Sequence, residues 1–341
     1  MSHPPVQYAE FLGTRVALVG EADVCRHLSL KDAFEDLRDA FFALGQGRAQ
    51  NRPRVRIDWH SPFAKKPGRA KPLAWLHSLR AGLADAALAG GKDYTSQGFQ
   101  TPAMWVTVVD MHTGKPLAWV EADFLSRIRT ASTTALATHL LAPADARCLA
   151  HFGAGKISEW LVRAILRIRP SIESVLLVRQ DPTKGAPDWL AKLDVPAKLV
   201  ERASEVAGAD IVTTATNSRD PVLTSDCDLP RLRHLNLVGA NHPKRREIDT
   251  ALALRCLPPK GCLMVEDKDQ AQREAGDIAG PELAGKLDWS QIETLDQWLA
   301  QAKQRPENRL TAFKSVGIGL ADLAVAAGVL RRMGLLPENS D

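Results

Sequence analysis

Cys148-Leu149-Ala150-His151-Phe152-Gly153-Ala154-Gly155-Lys156-Ile157-Ser158 is the stretch that decides the fold. A short apolar run enters a Gly-x-Gly turn, and apolar residues at helical spacing follow over 159–168. The order is strand, glycine turn, helix N-terminus. Such a turn lets backbone approach a pyrophosphate, and the free N–H groups and dipole of a helix start favour its charge. The segment therefore predicts a dinucleotide site at Gly153, Ala154, Gly155, Lys156 and Ile157. Ser158 stands where the usual fingerprint has a third glycine, and it is small enough for close helix–strand packing. Gly-x-Gly alone also fits a plain surface turn.

The downstream pattern favours the first reading. Ser174-Val175-Leu176-Leu177-Val178, Asp210-Ile211-Val212-Thr213-Thr214-Ala215-Thr216, Leu235-Asn236-Leu237-Val238-Gly239 and Cys262-Leu263-Met264-Val265 are short apolar or β-branched runs bounded by turn residues. Helix-compatible stretches lie between several of them. Strands alternating with helices predict an α/β fold with a Rossmann-type, doubly wound parallel sheet. Strand carboxyl ends line the sites of such sheets, which makes Thr214 and Ala215 candidate cofactor contacts; plain β-core is the competing role.

The 341 residues suggest two domains or one large one, and 45% apolar and 25% charged residues allow a sizeable core. A net charge of +4 suits small anions without arguing for nucleic acid. The basic loop Ala64-Lys65-Lys66-Pro67-Gly68-Arg69 has no aromatic interleaving, so a solvated loop is the expectation. Five scattered cysteines form no Cys-x-x-Cys, and no Cys/His cluster has zinc spacing. Reduced thiols, no metal, no signal peptide and a cytoplasmic location are expected. The apolar stretch 318–330 is too short to span a membrane and carries Asp322.

Upstream, residues 29–46 read as a helix with Phe34, Leu37, Phe41 and Leu44 at helical spacing and Gly45 ending it. A strand at 103–110, the turn Thr113-Gly114-Lys115-Pro116 and a hairpin partner at 117–120 follow, then a helix over 128–141. The segment 315–333 reads as an apolar helix that returns to the first domain. Arg52, Arg54 and Arg56 alternate and are expected to share one strand face.

Asp110-x-x-Thr113-Gly114-x-Pro116, Arg129-Thr130-Ala131, Gly153-Ala154-Gly155, Ala209-Asp210-Ile211-Val212-Thr213-Thr214, Val238-Gly239-Ala240-x-x-Pro243, Glu247-x-Asp249 and Phe313-Lys314-Ser315-x-Gly317 occur in one order. The chain thereby resembles the ornithine cyclodeaminase/mu-crystallin family. The resemblance implies a substrate-binding and dimerisation domain over 1–130, completed by 315–341, and a Rossmann domain over 131–314. It also implies a homodimer, a nicotinamide cofactor and a small amino or imino acid substrate.

The family holds its substrate carboxylate with two arginines and a lysine. Arg129 matches directly, with Arg127 as a nearby competitor; Arg54, or Arg56 after a slip, fits the first arginine; Lys92 in Gly90-Gly91-Lys92 fits the lysine. A guanidinium fork suits a carboxylate. At the end of the second strand, Val178-Arg179-Gln180-Asp181 puts Arg179 where an acid would select NAD. Arg179 could pair with a 2′-phosphate, so NADP(H) is expected over NAD(H), with Asp181 as the residue that would restore an acid. Val238 and Gly239 also fall to the cofactor by resemblance.

Asn241 departs from the cyclodeaminases, which carry Asp there. An amide cannot take a proton as a carboxylate does. His242 could supply one instead. The resemblance therefore implies an NAD(P)H-dependent reductase of a cyclic ketimine, Δ1-pyrroline-2-carboxylate or Δ1-piperideine-2-carboxylate, giving proline or pipecolate. An ornithine or lysine cyclodeaminase, an amino-acid dehydrogenase or opine-type synthase, and a non-catalytic nucleotide-dependent binding protein are the alternatives.

Overall fold

The computed structural model describes residues 6–59, 74–95, 103–179, 181–280, 283 and 285–337. The basic loop 64–69 and Gln180 lie outside the described residues. The chain packs as two compact units, one holding Met1–Arg129 and Ile318–Asp341, the other Thr130–Gly317. Among the described residues no helix is long and apolar enough to cross a membrane.

The first unit contains β1 (Gln7–Phe11), β2 (Thr14–Val19), α1 (Glu21–His27), α2 (Leu30–Gly45), β3 (Ala49–Trp59), β4 (Ala74–Leu83), β5 (Leu88–Thr95), β6 (Met104–Asp110) and β7 (Pro116–Glu121). Then α3 (Asp123–Leu141) leads into the second unit. There follow β8 (Cys148–Phe152), α4 (Ser158–Ile168), β9 (Ser174–Val178), β10 (Ala197–Val200), β11 (Ile211–Thr214), β12 (His234–Leu237), α5 (Thr250–Cys256), β13 (Gly261–Val265), α6 (Lys268–Glu274), α7 (Gly276–Ala279), β14 (Glu293–Thr294), α8 (Leu295–Ala300) and β15 (Leu310–Lys314). Finally α9 (Gly319–Arg332) rejoins the first unit.

In the first unit the strands run in the order β1-β2-β7-β6-β5-β4-β3. All pairs are antiparallel except β2 with β7. Helix α9 packs across β3 to β6 and against α2. Its residues from Gly319 to Leu330 are all buried, Asp322 included, so the apolar run is a core helix. Helix α2 starts at a capping box: Ser29 Oγ accepts from the Asp32 N–H at 3.2 Å, and the Asp32 carboxylate accepts from the Ser29 N–H at 3.0 Å. Its Ala33, Leu37, Ala40 and Phe41 fall on the buried side.

Two expectations about this unit need correction. Helix α3 starts at Asp123, five residues before 128, because Glu21 accepts from the Phe124 N–H at 2.7 Å. That cap comes from a distant helix, so no local pattern announces it. The three arginines do not share a face either. The register slips between Arg52 and Val55, with Arg52 opposite Arg80 but Arg56 opposite His77. Pro53 cannot donate to a ladder, and a bulge on the edge strand accommodates it. Arg52 and Arg56 therefore point to opposite sides.

The second unit is a parallel sheet ordered β10-β9-β8-β11-β12-β15-β13-β14. From β8 the chain moves outward to β9 and β10, then returns to β11 on the other side of β8. The switch point of this doubly wound sheet thus lies between β8 and β11. The five anticipated strands are joined by β10, β14 and β15. The apolar C-terminal helix begins at Gly319 rather than 315. The N–H groups of Val316 and Gly317 donate to the buried Glu266 carboxylate at 2.8 and 2.6 Å, which holds 315–317 outside a helix.

Adjacent residues on α2 provide a test of the packing. Phe41 is fully buried and Phe42 is 38% exposed. Phe41→Ala is expected to cost about 3–5 kcal/mol, and Phe42→Ala about 0.5 kcal/mol or less, in urea unfolding. Equal costs would contradict the placement of α2.

Candidate active site

A cationic clamp forms in the first unit. Gly91 has φ 150°, and a Cβ there would lie 1.8 Å from the Leu79 carbonyl oxygen. Only glycine lets β5 pass β4 so closely, and Lys92 follows it. Lys92 Nζ donates to Asp322 Oδ1 at 2.8 Å and to Ser126 Oγ at 2.9 Å. Arg129 Nε stands 2.9 Å from the same Asp322 oxygen. Lys92 and Arg129 are 3% and 6% exposed, and Asp322 is fully buried. Two cations thus share one carboxylate oxygen. Burial, then the charge of Arg129, pulls the Lys92 pKa down to about 7, with Asp322 opposing. The cluster lacks one negative charge, and a ligand carboxylate would supply it.

Arg54 lies beside this cluster. Its guanidinium carbon is 6.0 Å from the Tyr94 ring centroid, and Lys92 Nζ is 5.3 Å from the same ring. Arg56 instead turns away, with Nε 2.7 Å from Asp58 and its guanidinium over Trp75. Arg127 pairs with Asp123. The structure therefore brings Arg54, Lys92 and Arg129 together and leaves Arg56 and Arg127 engaged elsewhere. Asp322, Ser126, His77 and Tyr94 join the site without having been anticipated. For Asp322 the signal was present, as a lone charge in the apolar run 318–330.

The second unit builds a cradle at its switch point. Gly153 has φ 115°, and a Cβ there would meet the Ala215 carbonyl oxygen at 2.5 Å. The Ala215 N–H donates to the Phe152 carbonyl at 2.8 Å. The turn after β8 is thereby pressed onto the end of β11. No acceptor among the described residues takes the N–H groups of Ala154, Gly155, Lys156 or Ile157. Four free donors where α4 begins fit a phosphate group. Ser158 is fully buried, as close packing at the third fingerprint position requires.

The neighbouring strand ends are fixed by a buried network. The Glu247 carboxylate accepts from the N–H groups of Thr216 at 2.6 Å and Gly239 at 2.7 Å. Burial raises its pKa, against the Lys314 charge. The Glu247 N–H donates to Asp277 at 2.5 Å, and Asp277 pairs with Lys314 Nζ at 2.9 Å. All three side chains are fully buried. Thr214 is buried too, its hydroxyl 3.4 Å from the Asn236 carbonyl, whereas Ala215, Val238 and Gly239 are partly exposed beyond the strands.

Arg179 directly follows β9, and its Nη1 donates to the Gly185 carbonyl at 2.7 Å. Asp181 is taken up in a local turn, accepting from the Thr183 hydroxyl at 2.6 Å. After β12, Asn241 is exposed and His242 partly so. His242 Nδ1 accepts from the Lys244 N–H at 3.1 Å, so a neutral ring carries its proton on Nε2.

Residues 15–334 match the model of the ornithine cyclodeaminase/mu-crystallin family. The chain belongs to this family. It is similar to a Δ1-pyrroline-2-carboxylate reductase of Bacillus cereus, 31% identical over 228 residues that cover 65% of this chain and 68% of that one. A Δ1-pyrroline-2-carboxylate reductase of Paracoccus denitrificans is 29% identical over 304 residues, 87% of this chain and 92% of that one. Among solved structures, the Thermococcus litoralis Δ1-pyrroline-2-carboxylate reductase in complex with NADH and L-proline superposes with a TM-score of 0.80 at 27% identity. That match covers 95% of this chain and 99% of the other.

Two substitutions probe the second unit of this family member. Gly153→Val should weaken NADH or NADPH binding at least about tenfold by fluorescence titration, since its side chain would displace the Ala215 backbone. Lys314→Met should cost about 3–5 kcal/mol in urea unfolding, because Asp277 loses its buried partner. Unchanged binding or unchanged stability would contradict the respective role.

Proposed function

We propose that the chain uses NAD(P)H to reduce a cyclic ketimine, Δ1-pyrroline-2-carboxylate or Δ1-piperideine-2-carboxylate, to proline or pipecolate. The observation that carries this reading is the buried Lys92 and Arg129 pair on one Asp322 oxygen, with Arg54 adjacent. A site short of one negative charge calls for a substrate carboxylate.

The free N–H groups of 154–157 would hold the dinucleotide pyrophosphate. The nicotinamide supplies the hydride. Lys92, Arg129 and Arg54 bind the substrate carboxylate and so orient the adjoining imine carbon. A ketimine that binds protonated keeps its nitrogen proton when hydride adds to carbon, so this step needs no base. By the family resemblance Asn241 falls to the reacting centre, where an amide oxygen can accept a hydrogen bond but takes no proton. His242, with its neutral-ring proton on Nε2, is the candidate proton donor. Cyclodeamination needs several proton movements, and Asn241 lacks the carboxylate for them.

Arg179 at the carboxyl end of β9 supports a preference for NADP(H), because a guanidinium suits a 2′-phosphate. Val55 and Ile57, 60% and 58% exposed on edge strand β3, fit a homodimer formed through the first unit. Five unpaired cysteines fit the cytoplasm.

NADPH and NADH oxidation with both ketimines tests the reading, with L-ornithine and NAD⁺ run alongside and ammonia followed. Imine-dependent oxidation without ammonia is expected; ammonia and proline from ornithine, with weak imine reduction, would contradict it. Lys92→Met should lower kcat/KM about 100-fold, as expected for losing a buried charge-assisted contact. The Lys92 ammonium is populated below about 7 and lost above. KM for the ketimine should therefore rise between pH 6.5 and 8.5, as about-neutral pKa values require, and Lys92→Arg should flatten that rise. A pH-independent KM in the unsubstituted enzyme would count against Lys92 as the anchor.

A further inference from the structure

Beside the clamp, on the same side of the first unit's sheet, the next cross-strand row is aromatic. Tyr94 lies two residues beyond Lys92 on β5 and so points the same way. His77 opposes it on β4. The two rings stack with centroids 4.4 Å apart and planes 4° apart. Lys92 Nζ is 5.3 Å from the Tyr94 centroid, so the stack borders the carboxylate anchor. Both side chains are partly buried. His77 Nδ1 is buried with no hydrogen-bond partner among the described residues, so ring packing holds the imidazole there. Burial, then the charges of Arg54 and Arg56, pushes the His77 pKa down to about 4. A neutral ring does not repel an iminium.

We propose that the His77–Tyr94 stack is the wall that selects the substrate by width, admitting one small flat ring beside the anchor and excluding fused or bulky groups. The inference rests on the clamp's binding a substrate carboxylate. A carboxylate bonded to Lys92 lies about 2.8 Å from Nζ, which leaves its neighbouring atoms alongside the Tyr94 ring. A conjugated imine carboxylate is flat and suits offset stacking on that ring. His77 backs Tyr94, so the wall cannot swing away from a wider ligand. A wall that does not yield discriminates by size, about 10–200-fold for a single added methylene.

The test is calorimetric titration of pyrrole-2-carboxylate and indole-2-carboxylate into the enzyme with NADPH present. These planar acids differ by one fused ring. The unsubstituted enzyme should bind pyrrole-2-carboxylate at least about tenfold tighter. Tyr94→Val should narrow that ratio about tenfold, His77→Ala should narrow it less, and Tyr94→Phe should keep it. General damage to the fold would weaken both ligands alike and leave the ratio unchanged. An unchanged ratio in Tyr94→Val, with pyrrole-2-carboxylate still bound in a Lys92-dependent way, would overturn the wall alone. Binding of neither acid, together with no ketimine reduction, would overturn the clamp and the wall with it.

Discussion

One carboxylate oxygen shared by two buried cations governs the first unit. Asp322 Oδ1 meets Lys92 at 2.8 Å and Arg129 at 2.9 Å. A buried charge is costly unless paired, so three segments distant in sequence must converge on this point. Strand β5 brings Lys92, helix α3 brings Arg129 and helix α9 brings Asp322. From Gly319 to Leu330 helix α9 is otherwise apolar, and Asp322, the one charge in that run, is held inside. The arrangement is also incomplete, since one acid faces two bases. Burial, and after it the Arg129 charge, lowers the Lys92 pKa, and the imbalance suits the cluster to an anion.

The second unit solves a related problem with a different outcome. Lys314, Asp277 and Glu247 are equally buried, but they satisfy one another and the strand-end N–H groups. Two carboxylates there face one lysine, and burial raises the Glu247 pKa against the Lys314 charge. The network's task is positional, since it fixes the turns after β11 and β12 next to the Gly153 cradle. Both units thus carry a buried lysine paired with an aspartate, but the first set has an excess of cations, which suits an anion, and the second an excess of carboxylates, which accept from strand-end N–H groups.

The glycine turn and its strand were legible because backbone requirements leave local marks: Gly153 is needed where a Cβ would strike Ala215. Lys92 and Arg129 were legible through the family resemblance. What stayed hidden depends on distant partners. Glu21 caps α3 and moves its start to Asp123, Glu266 holds 315–317 out of the last helix, and a bulge at Pro53 splits the arginines of β3. Strand β15 was hidden for the same reason, because Lys314 reads as a surface residue until Asp277 is seen beside it. The His77–Tyr94 stack arises from cross-strand register, which a single sequence does not display.

A ligand carboxylate should supply the negative charge that the Lys92, Arg129 and Asp322 cluster lacks and so raise the Lys92 pKa. Calorimetry of pyrrole-2-carboxylate binding in the presence of NADPH measures this directly, at a pH just above 7 and in buffers of different ionisation enthalpy. Binding should take up a substantial fraction of one proton, and Lys92→Met should abolish the uptake. Tight binding with no proton uptake in the unsubstituted enzyme would contradict the claim, because it would mean that Lys92 is already fully charged before the carboxylate arrives.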